Sequence, residues 1–175
     1  MKTVNYIIII VLAAAVSWLV CIYKNSGSTK TGFIKNSDLY SNFEFKKELE
    51  TKLLKVKSQR KAILDSLMIP LQMLSSQLKQ TGGKDETAVL KFQQQREIYL
   101  SKQKEFDEDN ERLAQEYSGQ IWKQINQYVE DYGKANGYEY IYGATGDGAI
   151  MFAQDKNDLT KELTTYINER YKGNK

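Results

Sequence analysis

Proline occurs once in this chain of 175 residues, at Pro70. Proline normally makes up about 5% of a protein, and it is the residue that most often ends a helix, because it lacks an amide donor and its ring clashes with the preceding turn. Its near absence predicts long uninterrupted helices, and the apolar spacing says where they lie. From Glu44 to Gln80, apolar residues recur at Leu49, Leu53, Val56, Ile63, Leu67 and Leu74, with Arg60 and Pro70 in the two missing slots. This is the 4-3 rhythm of a coiled coil. The adjacent glycines of Thr81-Gly82-Gly83-Lys84 then mark a turn. A second helix is predicted from Asp85 to about Ala135, with Phe92, Tyr99, Phe106 and Leu113 spaced by seven. Beyond Leu113 the stripe widens to Tyr117, Ile121, Ile125, Tyr128 and Tyr132, the face of a helix packed into a globular body.

If the two helices fold back on each other about Gly83, facing residues have numbers summing to about 166. Leu74 then faces Phe92, Leu67 faces Tyr99, Leu53 faces Leu113, Leu49 faces Tyr117 and Phe45 faces Ile121. The same register sets the acidic run Glu105, Asp107, Glu108, Asp109, Glu111 and Glu116 against Lys52, Lys55, Lys57, Arg60 and Lys61. Charge pairing across the hairpin is therefore expected, with the alternative that the helices diverge and each keeps a solvated charged face. At ~1.5 Å per residue the hairpin reaches roughly 55 Å. Its middle is lean, since Arg60 lies opposite Phe106 and Gln103 opposite Ile63. Pro70 adds a kink near Leu67, or else ends the first helix there.

No histidine is present, which removes Ser-His-Asp and Cys-His triads and imidazole metal ligands. No catalytic constellation, metal site or cofactor is expected, so the chain reads as a non-enzyme. The lone Cys21 forms no internal disulfide. A net charge of +3 is too mild to argue for nucleic acid. The charge is uneven, however: between Lys52 and Lys104 eleven Lys or Arg stand against four acids, a local net of +7. Lys79, Lys84, Lys91 and Arg96 lie outside the run that faces acids, and they are the candidate binding cations for acidic partners. The alternative is a solvated face.

Tyr6 to Tyr23 reads YIIIIVLAAAVSWLVCIY, flanked by Lys2 and Lys24. This is a signal peptide or a membrane anchor over residues 1–24. Small-x-small cleavage sites at Ala13-Ala14-Ala15 and Ala15-Val16-Ser17 would leave an apolar start on the mature protein, and both readings stay open. Val20 before Cys21 argues against lipidation. Residues 25–31 (NSGSTKT) read as a linker.

After Gly137 the period becomes two. Tyr138, Tyr140 and Tyr142 predict a strand with one aromatic face, Ala144 to Gly148 a hairpin turn, and Ala149 to Ala153 (AIMFA) a second strand buried on both faces. A helix capped by Asn157 or Asp158 follows, carrying Leu159, Leu163, Tyr166, Ile167 and Tyr171. Gly32 to Asn36 supplies a third strand before a helix starting at Ser37 or Asp38. Such a body is too small to bury a stable core alone. Oligomerisation through Phe33, Ile34, Tyr138, Tyr140, Tyr142, Ile150 and Phe152 is expected. GATGDG lacks the following helix and lysine of a phosphate loop, and the carboxylates at 105–111 lack calcium-loop spacing.

The expected fold is therefore α+β, mostly α: a long antiparallel helical hairpin on a small β-rich body. The arm is 44–117 with its tip at 81–84, and the body is 32–43 with 118–175. In GFIKNSDLYSNF, the lysine- and glutamine-rich arm, and YEYIYGATGDGAIMFAQDKNDLTKELTTYINERY with its Asp158-Leu159-Thr160 helix opening, the chain resembles the Skp/OmpH family of periplasmic chaperones. The resemblance implies a homotrimer whose arms surround a cavity that holds unfolded outer-membrane proteins without ATP. It also implies the periplasm of a Gram-negative bacterium, with the chain soluble or anchored in the inner membrane by residues 6–23. A membrane-tethered adaptor that binds one folded envelope partner is the alternative.

Overall fold

The computed structural model describes residues 12–21 and 29–173. Residues 12–21 are helical with exposed side chains, and the rest of the apolar segment expected as signal or anchor lies outside the described residues. Among the described residues no helix is long and apolar enough to cross a membrane. Of the expected linker, 25–28 lie outside the described residues and Thr31 already belongs to a strand.

The elements run β1 (Thr31–Lys35), α1 (Asn36–Asn42), α2 (Glu44–Thr81), α3 (Glu86–Asn136), β2 (Tyr140–Ala144), a short 3-10 turn (Asp155–Asn157) and α4 (Thr160–Gly173). The fold is α+β and mostly helical, as expected. α2 runs unbroken through Pro70, so the helix does not end there. At its C-terminus Gly82 takes a left-handed conformation (φ 61°), and the Gly83 amide bonds back to the Leu78 carbonyl at 2.9 Å. Asp85 opens α3 by accepting from the Ala88 amide at 3.0 Å, and it also holds the Gln77 side chain at 3.0 Å.

The hairpin register is as expected. The Arg60 guanidinium lies 5.3 Å from the centre of the Phe106 ring, and these numbers sum to 166. The inward stripe of α2 differs in detail. Ile63 is 46% exposed, whereas Leu64, Leu67, Leu71, Leu74 and Leu78 turn inward. The steps Val56-Arg60-Leu64 make two consecutive intervals of four. Such a stutter follows from geometry, because a straight helix of 3.6 residues per turn drifts about 20° per heptad from a strict sevenfold repeat.

The sheet corrects the sequence reading. β2 pairs in parallel with β1, with Phe33 opposite Tyr142 and Ile34 opposite Gly143. No hairpin with Ala149 to Ala153 forms. Parallel strands need a crossover connection, and here the whole helical arm is that crossover. The other edge of β1 is taken by the Asp158-Leu159 backbone, through a bridge between Phe33 and Asp158 and a 2.8 Å bond from the Leu159 amide to the Phe33 carbonyl. AIMFA is expected on β2 rather than β1, and among the described residues β2 pairs with β1 alone. Gly146 and Gly148 adopt φ of 83° and 98° and turn the chain away. Far from being buried on both faces, Met151 and Phe152 are 88% and 84% exposed.

One core joins Ile34, Leu39, Phe43 and Leu49 to Ile121, Ile125, Tyr128 and Tyr132 of α3 and to Leu159, Leu163 and Ile167 of α4. The second half of α3 is thus the spine of the body. Burial pushes the Tyr132 hydroxyl up, with help from its bond to Glu162, and keeps it neutral. Asp158 starts α4: its carboxylate accepts from the Thr160 amide at 2.9 Å and from the Thr160 hydroxyl, while Thr160 Oγ1 accepts from the Lys35 amide at 2.9 Å. The same carboxylate pairs with the Lys35 ammonium at 3.1 Å. Strand end, turn and helix start are therefore held by one carboxylate.

Candidate functional site

Among the described residues, apolar side chains stay open to solvent on two surfaces in particular. The first is the distal arm, where helical spacing sets a groove on each flank of the hairpin. One, of about 480 Å³, has Met68, Leu71, Phe92, Tyr99 and Leu100 along it and Lys79 and Arg96 at its rim. The other, of about 500 Å³, is lined by Pro70, Met73, Leu74, Gln77, Lys91, Gln94 and Gln95. Three of the four candidate cations thus edge these grooves, and Lys84 is exposed at the tip. Among the described residues none of the four side chains makes an ion pair or a hydrogen bond, and none sits as a cation over an aromatic ring. Their charge is available to a partner.

The second surface is on the body. Phe33, Tyr142, Ile150 and Phe152 line one cavity of about 700 Å³, whose wall continues through Met151. Tyr140 is exposed beside it, its ring stacked on Tyr142 at 5.9 Å and 19°. The remaining two of the seven residues expected to carry oligomerisation are elsewhere. Ile34 is 5% exposed and belongs to the chain's own core. Tyr138 precedes β2, stacks on Tyr132 at 5.9 Å, and carries the Lys30 ammonium 4.0 Å above its ring.

This order of elements, a split parallel sheet whose strands are joined by a long hairpin, coincides with a family match. Residues 30–167 match the family described as outer membrane protein (OmpH-like). The chain belongs to the OmpH-like family. The fold of this OmpH-like chain is similar to that of a crystal structure from Caulobacter crescentus CB15, described as a candidate outer membrane chaperone (OmpH-like). The TM-score is 0.70 at 13% identity, covering 82% of this chain and 86% of that one. No curated protein matches.

Charge in this OmpH-like arm is arranged differently from the sequence expectation. The pairs Lys52–Glu48, Lys61–Asp65, Lys102–Glu105, Lys104–Glu108 and Arg112–Asp109 all stay within one helix. Arg60–Asp109, at 3.3 Å, crosses between the helices. Long side chains reach a neighbour one turn away at less entropic cost than one on another helix. Apart from Arg60, the members of the opposed runs that pair do so with a neighbour on their own helix. Apolar residues on the outer faces of the arm escaped the sequence reading. Ile69, Met73, Leu90, Ile98 and Leu100 are all exposed, Met73 at 69%. Their signal was their position one or two residues off the heptad stripe in an otherwise polar helix.

Proposed function

We propose that this chain is an ATP-independent holdase that binds unfolded outer-membrane proteins in the periplasm, in a cavity between the arms of a homotrimer. Membership of the OmpH-like family supports a chaperone role. One observation carries the reading: the distal arm presents exposed apolar side chains and unpaired cations together on a single helical hairpin. An unfolded chain offers apolar segments and backbone without fixed shape. A surface of scattered Leu, Ile and Met side chains buries such segments without demanding one sequence, at about 25 cal/mol per Å² of apolar area. The cations add an attraction that acts before contact. No bond is made or broken, so no cofactor is required.

The apolar cavity around Phe33, Tyr142, Ile150 and Phe152 supports assembly of the body with further copies, because an exposed apolar patch of this kind is covered in stable proteins. Attachment to the inner membrane through residues 6–23 belongs to the same proposal. N-terminal sequencing of the mature protein tests it, since a chain beginning beyond residue 23 has lost the segment.

The test of holding is light scattering from a urea-denatured β-barrel protein diluted into buffer with the chaperone. Suppressed scattering is expected, and aggregation unchanged at several-fold excess overturns the proposal. Sedimentation of the same sample is expected to give a trimer; a monomer removes the cavity.

A further inference from the structure

The middle of the arm contains a polar device within an apolar seam. Arg60 occupies an inward slot of α2 at the point where the packing rhythm stutters. Its guanidinium donates to Asn110 Oδ1 at 2.6 Å and to Asp109 Oδ2 at 3.3 Å, both on α3, and it lies against the Phe106 ring. Lys102, itself paired with Glu105, sits 5.2 Å from the same ring. Asp109 has a second partner on its own helix, for Arg112 donates to its Oδ1 at 2.8 Å. The carboxylate is thus shared between a cation across the seam and a cation one turn away.

We propose that Arg60 is a latch, holding the two helices together at mid-arm while Asn110 and Asp109 bond it and letting them part when it releases the Asn110 amide and Asp109 passes wholly to Arg112. This concerns the hairpin itself and goes beyond the holdase reading. The exchange leaves no charge orphaned. Asp109 keeps the shorter of its two bonds, and Arg60, already 20% exposed at its side chain, gains water in place of the carboxylate and of the Asn110 amide oxygen, which is neutral and takes water in turn. That makes the seam weaker here than on either side, where parting exposes buried apolar side chains such as Leu49 and Ile121 toward the body, and Leu71 and Ala88 toward the tip, without any compensating partner. A partly exposed pair across 3.3 Å is also screened by salt, whereas apolar layers are not.

The experiment is double electron–electron resonance on the full chain carrying Cys21→Ser, Ala62→Cys and Lys104→Cys, with spin labels on the two introduced cysteines. Both positions are exposed, and the register about Gly83 sets them at one level of the arm just beyond the latch. Raising salt from about 0.05 M to about 0.5 M is expected to increase the long-distance population at least about twofold. Arg60→Leu, which fills the slot with an apolar side chain, is expected to keep the short distance at both salts. Arg112→Leu, on the exposed surface, is expected to shrink the long-distance population, because Asp109 then has only Arg60. Distances that ignore salt, a salt response that survives Arg60→Leu, or an Arg112→Leu arm that opens further each overturn the latch. Because no client is present, aggregation suppression together with salt-independent distances overturns the latch alone and leaves the holdase reading standing.

Discussion

Leu159 stands where a side chain on Gly32 would have to go: a β-carbon built on Gly32 would lie 2.4 Å from Leu159 Cδ1 and 2.8 Å from its Cγ. Both residues are buried, at the point where β1 meets the start of α4. The absence of a side chain on Gly32 is what lets α4 close over the sheet.

Gly32→Ala is therefore expected to destabilise the fold by about 1–3 kcal/mol, the usual cost of overpacking a closed core. Urea denaturation followed by circular dichroism measures it. An unchanged midpoint would show that Leu159 moves aside freely.

Asp158 should make stability fall with acid. Burial pushes its carboxyl up, but the Thr160 hydroxyl and amide and the Lys35 ammonium outweigh this and hold it below the ordinary value. A carboxyl lowered in the folded state contributes stability that is present above the unfolded value, near ~4, and is lost as pH falls through the folded value. The difference in unfolding free energy between the wild type and Asp158→Asn is expected to be constant above about pH 5 and to shrink below about pH 4. A difference that grows on acidification has the wrong sign for this carboxylate.

Neutralising Lys79, Lys84, Lys91 and Arg96 to Gln should leave helical content unchanged, since none of them forms an ion pair among the described residues. Affinity for an acidic unfolded client is expected to weaken about tenfold at low salt, with the loss shrinking once the Debye length falls below about 8 Å. Fluorescence anisotropy of a labelled client at two salt concentrations reads both effects. Wild-type affinity in the quadruple variant would mean that these lysines and the arginine form a merely solvated face.

Pro70→Ala is expected to stabilise the arm, by up to about 3 kcal/mol, because it restores an amide donor and removes the ring from the preceding turn. A raised thermal midpoint in circular dichroism is the expected sign. If aggregation suppression falls as stability rises, the proline contributes shape to the arm at the expense of strength.

Periodicity alone determined the long elements. A single proline, a 4-3 stripe and two adjacent glycines are local signals, and each acts through the backbone of its own segment, so both helices, the tip and the register about Gly83 were legible from the chain. What depended on competition between distant segments was not legible. AIMFA reads as a strand, but strand partners are assigned in space: β2 takes β1 as its partner across the whole arm, and Gly146 and Gly148 turn the chain away before AIMFA could pair with β2. Ile34 alternates with Phe33 along one strand, yet burial of one and half-exposure of the other follow from which face meets α4. The opposed charge runs of the arm suggested a ladder between helices, but Lys52 and Lys61 bond acids one turn away on their own helix. Only in the tertiary structure does Arg60 become the cation that crosses the seam, since what decides it is the place of one side chain between two helices whose sequence positions lie about 50 residues apart.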